Sequence, residues 1–461
     1  MSDWDGLPTP RRYWSIAAVW LALTMAVLDA SIANVALPAI ARDLRADPAE
    51  AIWIVNAYQL AIVVALLPLA ALGEIITYRR VFQAGLLLFV VASAGCTFAR
   101  SLPMLAAARA IQGLGAAGVM SVNGAVVRYT YPHRLLGRGV GLNALVISIA
   151  AVIGPSIASA ILAVGSWPWL FAVNLPVGAV AMAVAWYALP ESPRGGHRFD
   201  GVSAVLNVLA FGLVVIGVDL ITRGSGAAVW LGGLVLAGGV LSGVILVRRS
   251  FSRPRPMVPI DLLRSRTFSL TVTSSIASFA AQALAFVSLP FLFQQVLHRS
   301  QVETGLLITP WPIAVGIAAP LSGHLADRYP AAVLSGFGLV ALSGGLALLA
   351  LLSPHAPMLD VMWRMALCGL GFGFFQAPNN RTLLTSAPME RSGAAAGMLA
   401  TARLSGQTMG ATLTAILFHA APGSPGLSLV LAAVFAAGGS LISFGRLAGQ
   451  PAPVRPGPAP R

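Results

Sequence analysis

A single acidic residue, Asp29, lies deep inside a long apolar run near the start of the chain. An ionised carboxylate is expensive to place in lipid, so this side chain must face protein or water. It can be a carboxylate that gains and loses a proton as its exposure changes, or a structural acid satisfied by a neighbouring helix. Small residues on both sides of it along the same helical face permit close helix packing or line a cavity: Ala22, Ala26, Ala33 and Ala36.

Arg109 and Gln112 are three residues apart and share one face of another apolar run, the fourth along the chain. Arginine does not release its proton in proteins, so Arg109 cannot itself carry protons. It can respond to the charge of a neighbouring proton carrier, or it can form a purely structural pair. The same run has GxGxxG spacing from Gly113 to Gly118. No strand is predicted before these glycines and they lie in an apolar helix, so close helix packing explains them better than nucleotide binding.

More polar side chains lie inside apolar runs of the second half of the chain. Arg403 and Gln407 are spaced i, i+4 and share a helix face, while Gln376, Asn379 and Asn380 cluster in an earlier run. Polar groups that converge from different helices are what a polar-lined cavity requires. Hydrogen bonding between helices is the alternative for each amide.

The elements that position these residues follow from composition. The chain has 461 residues, of which 57% are hydrophobic and 10% are charged, whereas a soluble domain carries about 25% charged residues. Its mean hydropathy is +0.82. Apolar runs of about 20 residues are long enough to cross a bilayer. The candidate helices are 13–34, 51–74, 80–99, 103–127, 136–163, 168–189, 202–221, 227–247, 268–296, 304–326, 331–352, 358–382, 393–419 and 426–446.

This pattern predicts an all-α integral membrane protein with fourteen spans and both termini on the same side. Most of the 29 basic residues, all arginine, fall in loops on that side, which predicts cytoplasmic termini. The long polar segments divide the chain into a six-helix bundle at 1–190, an accessory pair at 200–250, a second six-helix bundle at 266–450 and a Pro-rich cytoplasmic tail at 451–461.

Several other classes of partner and chemistry are disfavoured. The net charge of +14 comes without a dense basic stretch interleaved with aromatic residues, so a nucleic-acid partner is not expected. The two cysteines, Cys96 and Cys368, lie in apolar runs without CxxC spacing, so no metal site and no cofactor are predicted. The six histidines form no HxxxH or HExxH spacing, and the chain is not expected to be an enzyme.

A set of motifs in order along the chain resembles the major facilitator superfamily, in particular its fourteen-spanner drug:proton antiporters. The run from Leu28 to Pro38 is similar to the first-helix motif LDxTIVNVALP. The run from Arg109 to Ala117 is similar to the fourth-helix motif RxxQGxGAA. The segment from Gly154 to Ser159 resembles the antiporter motif GPxxGG, with Ala158 and Ser159 in place of its last two glycines. The run from Trp167 to Gly178 is close to WRWxFxINxPxG, a hallmark of the fourteen-spanner branch.

The resemblance implies two bundles that rock about a central cavity, with proton coupling by Asp29 and Arg109. The gate motif GxLxDRxGRR is altered here: Glu74 replaces its Asp, while Ile75 and Thr77 replace an Arg and a Gly. The implied gating residues are Glu74, Arg79, Arg80, Gly154, Pro155, Asp327 and Arg328. The implied or candidate cavity residues are Asn34, Trp53, Tyr58, Gln112, Asn143, Gln376, Asn379, Arg403 and Gln407.

The predicted function is proton-coupled multidrug efflux by alternating access, from a monomer in the bacterial inner membrane. A lipophilic cation would suit a cavity with aromatic walls and one carboxylate. Export of one specific metabolite or antibiotic needs the same scaffold and remains the alternative. A membrane sensor or an intramembrane enzyme is the alternative from another class, and the lack of a long soluble domain and of paired catalytic groups argues against both.

Overall fold

The computed structural model describes residues 6–46, 51, 53–195, 198–223, 226–253, 256–299, 301–420 and 425–447. These residues form seventeen α-helices, and no strand occurs among them. The N-terminal half contains α1 (Thr9–Asp43), α2 (Trp53–Ile76), α3 (Tyr78–Thr97), α4 (Leu102–Thr130), α5 (Leu136–Val164), α6 (Trp169–Ala172) and α7 (Asn174–Ala188). The accessory pair is α8 (Gly201–Arg223) and α9 (Ala227–Phe251). The C-terminal half contains α10 (Ile260–Leu263), α11 (Arg266–Phe291), α12 (Gln301–Ile308), α13 (Pro310–Leu325), α14 (Ala331–Ala350), α15 (Met358–Thr385), α16 (Ser392–Ala420) and α17 (Pro425–Gly445).

Twelve segments in the described part of the chain are long and apolar enough to cross a membrane, with a mean hydropathy between 1.3 and 2.3. Two further helices, α5 and α16, have 29 residues each and lie outside that set. Helices therefore cover all fourteen predicted segments, with ends displaced by a few residues in most cases, while the number of membrane spans stays a prediction. The tail predicted at 451–461 lies outside the described residues.

Proline explains three places where a predicted span is interrupted. Pro176 has no N–H for the carbonyl of Ala172, and the span predicted at 168–189 breaks between α6 and α7. Pro310 begins α13 and separates it from α12. Pro290 lies near the end of α11, which continues into a π-helical turn at Leu292–Val296.

Glycine allows the helices of the N-terminal half to pack at backbone contact. A Cβ on Gly118 of α4 would lie 2.7 Å from the Cα of Gly85 on α3, and a Cβ on Gly113 would overlap the carbonyl of Tyr58 on α2. Such approaches are possible only without a side chain. The predicted packing role of the 113–118 glycines is confirmed.

The two halves meet at the face of the bundle where α1 begins and α2 ends, which we call the terminal face. Arg128 Nη1 donates to Ser392 Oγ at 3.0 Å, and Gly393 N donates to the hydroxyl of Tyr78 at 2.9 Å. The helices also touch, since a Cβ on Gly323 of α13 would lie 3.3 Å from the Cα of Gly141 on α5. The central space is therefore closed off on this side.

The accessory helices pack mainly on each other and lie at the periphery. Only 17% of the residues in the most apolar window of each are buried, against 33% to 67% in the other ten segments. Asn207 attaches α8 to the N-terminal half, because its Nδ2 donates to the carbonyl of Val64 at 2.8 Å. These two helices take no part in lining the central cavity described below.

Candidate functional site

Asp29 is 2% exposed and its carboxylate is surrounded by donors. Its Oδ2 is ion-paired with Nη1 of Arg109. Its Oδ1 accepts from Gln112 Nε2 at 2.9 Å and from Asn174 Nδ2 at 3.0 Å. An ionised carboxylate acts only as an acceptor, so this arrangement suits the charged form of the side chain.

Arg109 is fully buried on α4 and is fixed from several directions. Its Nε donates to the carbonyl of Ile54 at 3.2 Å, and its Nη1 also donates to Gln112 Oε1 at 2.6 Å. The guanidinium carbon lies 4.1 Å from the ring centroid of Tyr58, a cation–π distance. The Tyr58 hydroxyl in turn donates to the carbonyl of Ala26 on α1. We call Asp29, Tyr58, Arg109, Gln112 and Asn174 the Asp29 cluster.

Gln112 joins the cluster to α3. Its Nε2 donates both to Asp29 and to Ser93 Oγ, at 2.8 Å for the latter, while Cys96 Sγ donates weakly to its Oε1 at 3.5 Å. Besides α1 and α4, which carry the pair itself, α2 and α7 are hydrogen-bonded to it directly and α3 through Gln112. A change in the charge of Asp29 would therefore alter the hydrogen bonds of all these helices.

The Asp29 cluster lies far from the terminal face. At about 1.5 Å per residue, Asp29 is about 30 Å along α1 from Thr9, and Arg109 is about 10 Å from the start of α4 at the opposite face. Breaking a buried ion pair is strongly destabilising, by about 3–5 kcal/mol. The Asp29–Arg109 pair therefore ties α1 to α4 at this depth.

A separate cavity of about 100 Å³ lies between the two halves, and the empty space including its opening to solvent is about 850 Å³. The helices that contribute to it are α1, α4 and α5 from one half and α11, α15 and α16 from the other. Its lining residues are Leu23, Val27, Met120, Asn123, Gly124, Val127, Val140, Asn143, Ala144, Ile147, Phe279, Gln376, Asn380, Leu384, Ala396, Leu399, Ala400 and Arg403.

This lining differs from the one expected for a cationic substrate. Phe279 is its one aromatic residue and Arg403 its one charged residue among the described positions. Asp29 does not line the cavity, although Val27 two residues earlier does. Two residues correspond to about 200° around a helix, so these two side chains point in different directions.

The structure divides the nine predicted cavity residues. Asn143, Gln376 and Arg403 line the cavity, whereas Tyr58 and Gln112 belong to the Asp29 cluster. The remaining four do not line it. Asn379 is fully buried against α11, where its Nδ2 donates to Ser275 Oγ at 2.7 Å. Trp53 and Gln407 are half-buried, and the side chain of Asn34 lies outside the described residues.

At the terminal face, Glu74 forms the main charged contact between the halves. It is 5% exposed, its Oε2 lies 3.0 Å from Arg391 Nη1, and its Oε1 accepts from Ala394 N at 2.7 Å. Arg391 also donates to Asp261 Oδ1 at 2.9 Å. One arginine thus links the end of α2 to α10 and to the start of α16.

The other charged residues among the predicted gating residues are less buried. Asp327 lies 3.2 Å from Arg381 in its own half and 3.9 Å from Arg138 across the interface. Arg79 pairs at 3.1 Å with Glu191, whose side chain is 80% exposed. The remaining four are placed as follows: Arg80 and Arg328 are exposed, Gly154 is buried and the side chain of Pro155 lies outside the described residues.

Three residues that matter to these contacts were not predicted from the sequence. Asn174 lies in the predicted motif from Trp167 to Gly178, so its motif position was the available signal. Arg391 lies in a loop and Asn123 in an apolar run, and neither spacing nor motif indicated their partners. Asn123 accepts from Asn143 Nδ2 at 3.3 Å at the cavity wall.

Membrane-length helices in two halves, a cavity between them and a buried ion pair beside it are the architecture of a membrane transporter. The sequence profile of the Major Facilitator Superfamily matches residues 19–411, and the chain belongs to this superfamily. It is therefore a multi-pass membrane protein that transports small-molecule substrates, and not an enzyme. The predicted superfamily, helical fold and transporter class are confirmed.

Two relatives and one solved structure illustrate the similarity. The chain is 49% identical over 419 residues to YebQ of Escherichia coli K12, an uncharacterized transporter, covering 90% of this chain and 91% of YebQ. It is 33% identical over 407 residues to the multidrug resistance protein Stp of Mycobacterium tuberculosis CDC 1551, covering 86% of this chain and 74% of Stp. The structure of the human organic anion transporter MFSD10 covers 95% of this chain and matches over 100% of its own length, with a TM-score of 0.67. Its 15% identity supports a common fold alone.

Proposed function

We propose that this protein exports small amphipathic molecules in exchange for protons by alternating access. The observation that carries the proposal is the Asp29 cluster: a buried carboxylate and guanidinium held by the amides of Gln112 on α4 and Asn174 on α7. A transporter with no coupling role for Asp29 has no need of an ionisable group at this depth, because charged residues inside spans are expensive. The similarity to Stp supports efflux as the direction of transport.

In this mechanism, a proton that reaches Asp29 competes with Arg109 for the carboxylate. Neutral Asp29 releases Arg109, and α1 and α4 repack so that the halves rearrange around the cavity. When Asp29 then releases the proton on the opposite side of the membrane, the ion pair with Arg109 forms again. Each proton that enters is driven by about 2.3 kcal/mol per 100 mV of membrane potential, in addition to the pH gradient.

The terminal-face contacts would oppose opening on that side. Glu74 holds Arg391 and the first turn of α16, so the halves must lose these bonds before the cavity opens there. Glu74 fulfils this role in place of the aspartate of the family motif. Arg79 pairs within its own half, and it would contribute little to closure.

The topology belongs to the same proposal. We infer fourteen spans, because α5 and α16 are as long as the helices they pack between and join the twelve apolar segments. We also infer cytoplasmic termini from the arginine-rich loops, so the terminal face is the cytoplasmic face of a bacterial inner membrane. Bundles at 1–190 and 266–450, an accessory pair at 200–250 and a monomeric state remain predictions.

Proteoliposomes with purified protein and an imposed pH gradient test the coupling. We expect a transported substrate to dissipate the gradient, and Asp29→Asn to abolish this while substrate exchange without a gradient persists. Glu191→Gln is the matched control, because it neutralises a carboxylate that is 80% exposed. Full gradient-driven export by Asp29→Asn would remove Asp29 from the coupling role.

The breadth and charge of the substrate are separate questions. The sequence resemblance predicts cationic drugs or biocides, with export of one specific metabolite or antibiotic as the alternative. Growth inhibition by a panel of unrelated compounds, with and without the gene, distinguishes a broad from a narrow exporter. Protection against several unrelated compounds supports multidrug efflux, and protection against one supports the alternative.

A further inference from the structure

The most unusual group in the central cavity is the guanidinium of Arg403. Its Nε is buried without a hydrogen-bond partner, and it has no ion pair or hydrogen bond with any described residue. Arg403 as a whole is half-buried, whereas the fully buried arginines of the described chain all have hydrogen-bond partners. Arg109 pairs with Asp29, Arg391 with Glu74, and Arg446 donates to Asn379 Oδ1 at 3.1 Å. A half-buried guanidinium that borders a cavity and has no ion pair is stabilised when a counter-charge binds there.

Two amides lie on the same cavity wall. Gln376 and Asn380 are spaced i, i+4 on α15 and both line the cavity beside Arg403. Gln376 makes no hydrogen bond with described residues, and Asn380 Oδ1 is buried without a partner. Both side chains are half-buried at the cavity, so their amide groups can hydrogen-bond to a ligand there.

The facing wall offers a further donor. Trp20 Nε1 donates to Asn143 Oδ1 at 2.9 Å, and Asn143 Nδ2 donates to Asn123 Oδ1 at 3.3 Å. These two bonds occupy the amide oxygens of both asparagines. The N–H groups of Asn123 therefore remain available at the cavity, which adds a donor opposite Arg403.

The rest of the described lining is apolar or small and contains no carboxylate. Asp29 cannot supply one, because its charge is already matched by Arg109 within the Asp29 cluster. A cation in the cavity would meet Arg403 without a compensating negative group. An oxyanion would supply the counter-charge of Arg403 and accept from the surrounding amides.

We propose that the central cavity binds amphipathic organic anions, with a carboxylate, sulfonate or phosphate group at Arg403 and a lipophilic body along the apolar wall. Gln376 donates to the same oxyanion, and Asn380 Oδ1 accepts from an N–H or O–H group of the ligand. This assignment names the substrate class of the exporter proposed above and rests on that function. It replaces the cationic substrate predicted from sequence.

Anion export has an electrical consequence. If one substrate leaves for each proton that enters, a monovalent cation moves no net charge, a neutral molecule moves one and a monovalent anion moves two. An inside-negative potential acts on each charge that crosses. The rate of anion export should therefore respond more steeply to membrane potential than the rate of proton exchange for a neutral molecule.

The first test measures equilibrium binding to the purified full-length protein without any gradient. The probes are anilinonaphthalene sulfonate, an amphipathic anion, and ethidium, an amphipathic cation. We expect the anion to bind more tightly. Arg403→Gln should weaken anion binding about tenfold or more, and Arg403→Lys should keep most of it because the charge remains. Arg264→Gln is the control, since Arg264 is exposed and distant in sequence from the cavity residues.

The second test measures transport of both probes in proteoliposomes, with the pH gradient and the potential clamped independently. Preferential binding of ethidium, or unchanged anion affinity in Arg403→Gln, would overturn the proposal, as would binding of neither probe. Anion binding without gradient-driven transport supports the site and contradicts the proposed coupling. Gradient-driven export of ethidium alone supports the coupling and contradicts the anion site.

Discussion

The carboxylate of Glu74 and the guanidinium of Arg391 lie 3.0 Å apart although 317 residues separate them in the chain. The same carboxylate accepts the backbone N–H of Ala394 at 2.7 Å. One side chain at the end of α2 therefore holds both a cation and the first turn of α16. This places an acidic residue where the partial positive charge of a helix N-terminus adds to the attraction.

Glu74→Gln should weaken closure at the terminal face. The amide retains an oxygen for Ala394 N–H but loses the charge that attracts Arg391. Hydrogen bonds to charged groups contribute about 1.5–3 kcal/mol, so the equilibrium between closed and open forms should shift about tenfold or more. Distances between spin labels on exposed terminal-face positions of the two halves would report this shift as a larger open population.

Arg79→Gln is the matched comparison for the gate. Its partner Glu191 is 80% exposed and belongs to the same half, and exposed ion pairs contribute about 0–1 kcal/mol. The label distances should remain as in the unsubstituted protein. Equal shifts in the two variants would mean that the gate depends on total charge at this face and not on the Glu74–Arg391 contact.

Neutralising Asp29 should affect stability as well as coupling. Asp29→Asn leaves Arg109 buried without a counter-charge, at a cost of about 3–5 kcal/mol. The double variant Asp29→Asn, Arg109→Gln should recover most of this loss, because neither residue then carries an unpaired charge. A thiol-reactive dye can follow thermal unfolding, since Cys96 and Cys368 are free and buried.

Transport measurements distinguish the stabilising role of the Asp29–Arg109 pair from its role in proton coupling. The double variant should unfold near the temperature of the unsubstituted protein and still fail to couple export to a pH gradient. Recovery of proton-driven export in the double variant would show that another group carries the proton. An unchanged unfolding temperature in Asp29→Asn alone would contradict the stabilising role of the ion pair.

Glycine packing between α3 and α4 gives a prediction that is independent of transport. Gly118→Ala should destabilise the protein by about 1–3 kcal/mol, because its Cβ would lie 2.7 Å from the Cα of Gly85 and the helices must separate. Gly95→Ala is the control on α3, where the new Cβ would make an ordinary contact of 3.6 Å with Ala108. Equal unfolding temperatures for the two variants would contradict this assignment.

The stabilisation that Asp200 provides as the N-terminal cap of α8 should depend on pH. Burial acts to raise the pKa of Asp200, but hydrogen bonds from Ser203 and Arg249 outweigh it and hold the pKa below its ordinary value of 3.8. The stabilisation is therefore complete above that value and is lost as the pH falls through the lower pKa of the folded protein. Losing such a cap costs about 0.5–2 kcal/mol.

Unfolding of Asp200→Ala, followed by tryptophan fluorescence, should check this sign. The deficit relative to the unsubstituted protein should be constant from about pH 8 to pH 5 and should shrink below about pH 4, where Asp200 becomes protonated first in the unfolded chain and then in the folded protein. Asp200→Asn should retain part of the cap, because asparagine also accepts from a helix N-terminus. A deficit that grows as the pH falls would contradict the depressed pKa.

Sequence was sufficient for the helices because their lengths follow from apolar runs and their breaks from proline. It also placed Asp29 and Arg109 at depth, since charged residues stand out in such runs. The cavity was only partly predicted: Asn143, Gln376 and Arg403 line it, while Tyr58 and Gln112 turn to the Asp29 cluster. In helices that are apolar all round, no polar face marks which side points inward.

The sequence by itself determined that this is a helical membrane transporter of a known superfamily with ionisable groups inside its spans. Only the tertiary structure decided that Asp29 is matched by Arg109, that Glu74 is matched by Arg391, and that Arg403 is left without a partner among the described residues. The reason is physical. Lipid tails are as apolar as leucine, so pairing between helices depends on close packing and on scattered polar contacts that sequence spacing does not encode.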